Sequence, residues 1–107
     1  MLVILFRSKL TPEAGADYQS MGAEMFQLAQ NQPGFVDYKQ YTSEDGERLT
    51  VVRFRDEATL EQWRNDPKHR AAKIRGRESW YEYYHIEIAR VFHEAKFDRS
   101  ALKTSPG

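Results

Sequence analysis

The chain has 107 residues, with 16 basic and 16 acidic side chains and no cysteine. That length is one domain, and a compact chain of this size buries roughly two thirds of its extended surface. Without cysteine there is no disulfide frame, no thiolate metal site and no cysteine nucleophile. A net charge of zero excludes a generic duplex-DNA binder, which needs a basic excess to displace counterions. No apolar run reaches the about 18 residues that span a bilayer. The opening Met1–Phe6 run is too short for a signal-peptide core and leads into Arg7 and Lys9, the wrong order of charge. These features predict a cytoplasmic protein that binds neither nucleic acid nor membrane.

The neutral sum conceals a pattern. Residues 12–47 hold seven acids and one base, whereas Lys68, Arg70, Lys73, Arg75 and Arg77 crowd five positive charges into ten residues. A run of this kind is ordinarily a solvated helix face. Its other readings are an anionic ligand site or pairing with the acidic segment, within or between subunits.

In chain order, Leu2 to Lys9 is β-rich and predicts a first strand. Thr11-Pro12-Glu13 has the chemistry of a helix start, with a cap oxygen, a proline for the first position and an acid for the positive end of the dipole. Ala14, Tyr18, Met21, Met25, Leu28 and Ala29 then form one apolar helical stripe, which Gln32-Pro33-Gly34 ends. Phe35–Thr42 and Leu49–Arg55 read as a hairpin about the turn 43–47. Asp56 opens a short helix carrying Ala58, Leu60 and Trp63, and Asp66-Pro67 starts another that runs to about Trp80. Tyr81–Phe92 is the last strand, and residues 94–107 read as a polar tail. The order β-α-β-β-α-β is ferredoxin-like: an α+β fold with a four-stranded antiparallel sheet and its helices on one face, over residues 1–93.

Alternate strand residues sort onto two faces. Leu2, Ile4, Phe6, Val36, Tyr38, Val52, Phe54, Tyr84, Ile86, Ile88 and Phe92 form an apolar set expected beneath the helices. Phe35, Tyr41, Leu49, Val51 and Val91 fall on the opposite face among charges of both signs. So much apolar surface on a free sheet face predicts a partner, and a homodimer packed sheet to sheet is the expected one.

Several segments together resemble the antibiotic biosynthesis monooxygenase (ABM) family. They are Pro33-Gly34-Phe35, Asp56 through Trp63, Pro67-Lys68-His69, Arg75-Gly76-Arg77 and the strand Tyr81–Val91. The most specific piece is Trp63-x₅-His69-x₆-Gly76 followed by Trp80-Tyr81. The resemblance implies a dimeric α+β barrel and, among the family's divergent activities, cofactor-independent oxygenation of quinol-like or aromatic compounds. It also includes a haem-degrading branch, which uses an asparagine on the first strand and a histidine ten residues after the tryptophan. Here the first strand has no asparagine and the tenth residue after Trp63 is Lys73, so haem binding or degradation is a third reading. A non-catalytic dimeric ligand-binding or accessory protein is the second.

For a cofactor-free oxygenase the chemistry needs an apolar, water-poor cavity and a few donors that steady a substrate anion. His69 is the candidate donor or base and Trp63 a candidate wall, together the expected catalytic pair, although a tryptophan is more often core and such a histidine more often a surface or capping residue. Tyr18, Tyr38, Tyr84 and Phe54 are the expected substrate-binding residues, against a small aromatic molecule. No cofactor or metal is expected: His85 and His93 would stand about 26 Å apart on one strand, and His69 has no helical partner ligand.

Overall fold

A computed structural model describes residues 1–100. The elements are β1 (Leu2–Leu10), α1 (Ala16–Gln30), β2 (Phe35–Thr42), β3 (Arg48–Phe54), α2 (Glu57–Arg64), α3 (Pro67–Arg75), one π-helical turn at Gly76–Trp80, and β4 (Tyr81–Arg90). The sheet order is β2-β3-β1-β4 and every neighbouring pair is antiparallel, which is the ferredoxin-like arrangement. Residues 101–107 of the expected tail lie outside the described residues.

The two aspartate caps form as the sequence predicts. Asp56 accepts from the Thr59 backbone N–H at 2.9 Å, and Asp66 accepts from Lys68 and His69 N–H at 2.9 and 3.2 Å. Thr11 does not cap α1. Its N–H and its hydroxyl, each at 2.8 Å, donate to the carbonyls of Trp80 and Ser79, so it pins the end of β1 to the start of β4. Helix α1 therefore begins four residues later than expected, at Ala16 after Gly15 and without a side-chain cap.

Two bulges revise the predicted faces. Phe35 pairs with Phe54 and Asp37 with Arg53, so Val36 is an extra residue in β2. The bulge turns Phe35 toward the helices, edge-on to Phe54 at 6.1 Å, and leaves Val36 44% exposed, the reverse of the simple alternation. A second bulge pairs Lys9 with Tyr83 but Leu10 with Tyr81, which brings Tyr81 to the same side as Tyr84. Phe92, expected in the core, is 99% exposed. Strand β4 ends at Arg90, and Val91 N–H still bonds Met1 O at 3.0 Å, so Phe92 lies past the end of the paired strand.

Apolar packing is concentrated at two ends of the helix–sheet space. At one end Leu2, Ala29, Phe54, Leu60 and Trp63 form the core cluster. At the other, Tyr18 meets Trp80 and Tyr81 at ring separations of 5.5 and 6.1 Å, and Phe6 meets Tyr81 and Tyr84 at 5.6 and 5.8 Å. The acidic and basic segments meet within one chain, since Asp17 and Glu24 of α1 pair with Arg75 and Lys68 of α3 at 3.2 and 3.7 Å.

Gly34 joins α1 to β2 with φ +82°, and an added Cβ would lie 2.5 Å from Thr59 Cβ. Gly34→Ala is therefore expected to cost about 2 kcal/mol or more in urea unfolding, by backbone strain and by displacing the first turn of α2. An unchanged midpoint would contradict this packing.

Candidate active site

Between the two packed ends lies a cavity of about 860 Å³, bounded by α1, α3 and the sheet. Its walls include Ile4, Phe6, Met21, Met25, Val52 and Ile86, with Phe26 and Tyr38 in contact at 4.6 Å. Trp63, His69, Tyr18, Tyr38 and Tyr84, five of the residues proposed from sequence, line it together. Phe54 does not: it is 0% exposed inside the core cluster and holds α2 to the sheet instead of facing the cavity. Among the described residues, no cluster of three His, Asp or Glu is placed to hold a metal ion.

His69 is held by its neighbours in one state. Its ring stacks on Trp63, with centroids 4.0 Å apart and planes 11° from parallel. Nδ1 lies 3.1 Å from the Trp63 carbonyl, which can only accept, so the proton sits on Nδ1 and Nε2 keeps its lone pair. Burial pushes the His69 pKa down to about 4, with Lys73 adding to the effect while the Trp63 carbonyl and Asp66 oppose it. At neutral pH His69 is thus an uncharged acceptor and a weak base, not a cation.

Donors come from arginine–tyrosine pairs. Arg48 donates to the Tyr18 hydroxyl at 2.9 Å, and Arg77 donates through Nε to the Tyr84 hydroxyl at 2.6 Å. Burial pushes the Tyr81 phenol up, and the neighbouring Tyr18 adds to the effect; Tyr38 is raised chiefly by burial too. Both phenols therefore stay protonated as potential donors. Burial pulls Lys73 below its ordinary value, with Arg64, Arg77 and Arg70 adding repulsion. Trp80 closes the far end and donates from its indole N–H to Asp17 at 3.1 Å, which with Arg75 holds that carboxyl below its usual range.

Tyr81, Trp80 and Arg48 also line the cavity and were absent from the expected set; Lys73 and Arg77 line it too, and the sequence offered them only within the basic run, under its reading as an anionic ligand site. Extending the alternation back from Val52 through Thr50 reaches Arg48. Four-residue steps from His69 reach Lys73 and Arg77, which is one face of a helix. Tyr81 carries no such signal, because the bulge beside it reverses its face. The π turn explains Gly76: a Cβ there would lie 2.6 Å from the Tyr81 ring.

The His69 state has a measurable consequence. The unfolded imidazole takes a proton near pH 6.5 and the folded one near 4, so the unfolded chain binds more protons between these values. The stability His69 contributes is complete above about pH 6.5 and is lost as pH falls toward 4. NMR titration should show the His69 ring neutral at pH 5.5, and His69→Gln should flatten the stability profile across that window. A His69 midpoint near 6.5 would contradict the buried tautomer.

The family profile of antibiotic biosynthesis monooxygenases matches residues 1–74. The uncharacterized protein YqjZ of Bacillus subtilis is 31% identical over 93 residues, covering 87% of this chain and 82% of that protein. A jasmonate monooxygenase of Pyricularia oryzae is 27% identical over 93 residues, which span 85% of this chain but only 43% of that enzyme. Among solved structures, SnoaB, a cofactor-independent oxygenase from Streptomyces nogalater, superposes with a TM-score of 0.72 at 14% identity, covering 87% of this chain and 94% of that one; at that identity the likeness concerns the fold. The profile match and the YqjZ relationship together establish that the chain belongs to the antibiotic biosynthesis monooxygenase family.

Proposed function

We propose that this protein is a cofactor-independent monooxygenase that oxidises a small aromatic or quinol-like substrate in the helix–sheet cavity, and that it works in the cytoplasm as a homodimer. The observation that carries this reading is the cavity itself: an apolar space of about 860 Å³, walled by aromatic rings and furnished with a few directed donors and one neutral histidine. The names of SnoaB and of the jasmonate monooxygenase add support from relatives.

The chemistry follows from those groups. A methylene activated by flanking aromatic rings loses one proton to His69 Nε2. The substrate anion passes one electron to O₂, and the resulting radical and superoxide combine into a C–O bond. The peroxide is protonated, the remaining C–H proton is removed, and water leaves. One CH₂ and one O₂ thereby become one carbonyl and one H₂O, and every electron comes from the substrate. His69, with a pKa of about 4, is a weak base, so the anion must be stabilised from elsewhere. Arg48, held against the Tyr18 hydroxyl beside the apolar walls, supplies that field.

The dimer rests on the outer sheet face. Val3, Leu5, Leu49 and Val51 occupy adjacent register positions there. Two of the charges beside them pair within one chain, Arg7 to Glu47 at 3.0 Å and Arg53 to Asp37 at 3.2 Å, so a partner can cover these two arginines without stranding them. A second reading, a dimeric ligand-binding protein without turnover, is favoured by the weak basicity of His69.

Oxygen-electrode measurements with an anthrone and quinol panel test the activity. The expected result is enzyme-dependent O₂ uptake, falling about tenfold or more in His69→Ala through loss of the acceptor. Absence of uptake across the panel favours the ligand-binding reading. Light scattering should give about twice the monomer mass for the native protein and a single monomer mass for Val51→Asp, whose buried carboxylate would be unpaired. A native monomer at micromolar concentration would contradict the dimer.

A further inference from the structure

The carboxylates of this chain are distributed unevenly with respect to its cations. On the outside, Arg7, Arg53, Arg55, Lys68, Arg75 and Arg90 each have a carboxylate partner. The cavity lining holds Arg48, Arg64, Lys73 and Arg77 and, among the described residues, no carboxylate. Among the described residues, only Arg64 of these four has an ion pair, with Glu61 at 2.7 Å. Arg48 and Arg77 donate to phenol hydroxyls, which carry no counter-charge. Lys73 is partly buried and has no carboxylate within ion-pair distance among the described residues. Arg48 and Lys73 are half-buried while Arg77 is exposed beside them; keeping half-buried cations without a counter-charge at an apolar wall is costly, and that cost is recovered when a ligand brings the counter-charge.

The cations also stand in two places. Arg48 sits with Tyr18, close enough to Tyr81 and Tyr38 to act on both phenols. Lys73 in α3 and Arg77 in the π turn stand four residues apart, close enough to repel each other, with Arg77 against the Tyr84 hydroxyl. One reacting oxyanion needs one such site. From this we propose that the ligand is an amphipathic organic acid: its ring system fills the apolar space between α1 and the sheet, and a carboxylate apart from the reacting centre is held by Lys73 and Arg77. Arg48 and its tyrosines are then left to the oxygen at which charge develops. This inference rests on the reading of the cavity as the substrate site and adds to it a chemical class.

The test compares 2-naphthylacetate with the isosteric neutral 2-naphthylacetamide, read by calorimetry and by quenching of Trp63 and Trp80. The carboxylate should bind at least about tenfold more tightly than the amide, about 1.4 kcal/mol. Lys73→Gln and Arg77→Gln, tested separately and each checked for native circular dichroism, should bring the carboxylate close to the amide and leave the amide unchanged. Lys73→Arg should retain the preference. Lys68→Gln, on the outward face of the same helix, should change neither ligand. Equal binding of the two probes, no binding of either into the millimolar range, or a preference that survives both Gln variants overturns the proposal. The oxygenase reading fails separately: a carboxylate preference without O₂ uptake leaves this inference standing, whereas uptake without the preference removes this inference alone.

Discussion

The structure depends on a core that closes at its two ends and stays open between them. At one end Phe54, Leu60 and Trp63 lock α2 against the sheet together with Leu2 and Ala29. At the other, Trp80 meets Tyr18 edge-on and Tyr81 meets Tyr18 and Phe6 edge-on, which fastens the π-helical turn and the start of β4 to both α1 and β1. These packed ends act as props that hold α1 and α3 away from the middle of the sheet. Side chains too short to bridge the gap, among them Ala23, Ala72 and Gly22, line the space that remains. Apolar packing is concentrated at the ends, and the middle is left open.

That division explains the ionisation states. Groups at the cavity edge lose water without gaining a full set of partners, so each shifts toward its uncharged form: His69 and Lys73 downward, Tyr38 and Tyr81 upward. Trp63 links the two roles. It belongs to the core cluster, and it also carries the stacked imidazole and supplies the carbonyl that fixes its tautomer. The placement of the imidazole and the integrity of the core therefore share one side chain.

Much of this was legible in the sequence because it follows from local chemistry. Asp56 and Asp66 announce their helices by cap spacing, and the alternation of β1, β3 and β4 sorts Ile4, Val52 and Ile86 onto the cavity side. What was not legible depends on tertiary contacts. Thr11 has the sequence of a cap, but the carbonyls of Ser79 and Trp80, almost seventy residues away, take its hydrogen bonds. Phe35, Val36 and Tyr81 fall on the wrong face in any strict two-residue alternation, because a bulge leaves no mark in a single sequence. The basic run 68–77 reads as one solvated face, yet it divides: Lys68 and Arg75 meet α1, while Lys73 and Arg77 border the cavity, Lys73 near His69 and Arg77 against Tyr84. Helical spacing carries that division; the identity of the facing surface does not.

The central claim is that the open middle of the core, and not the outer face of the sheet, receives the ligand. Amide chemical shifts of the labelled protein on addition of 2-naphthylacetate test it most directly. The account predicts perturbations that trace the cavity, at Gly22 and Ala23 of α1, Ala72 and Lys73 of α3, and Tyr84 of β4, with Lys39, Leu49 and Val51 unmoved. Perturbations confined to the outer sheet face, or none at saturating ligand, would contradict it.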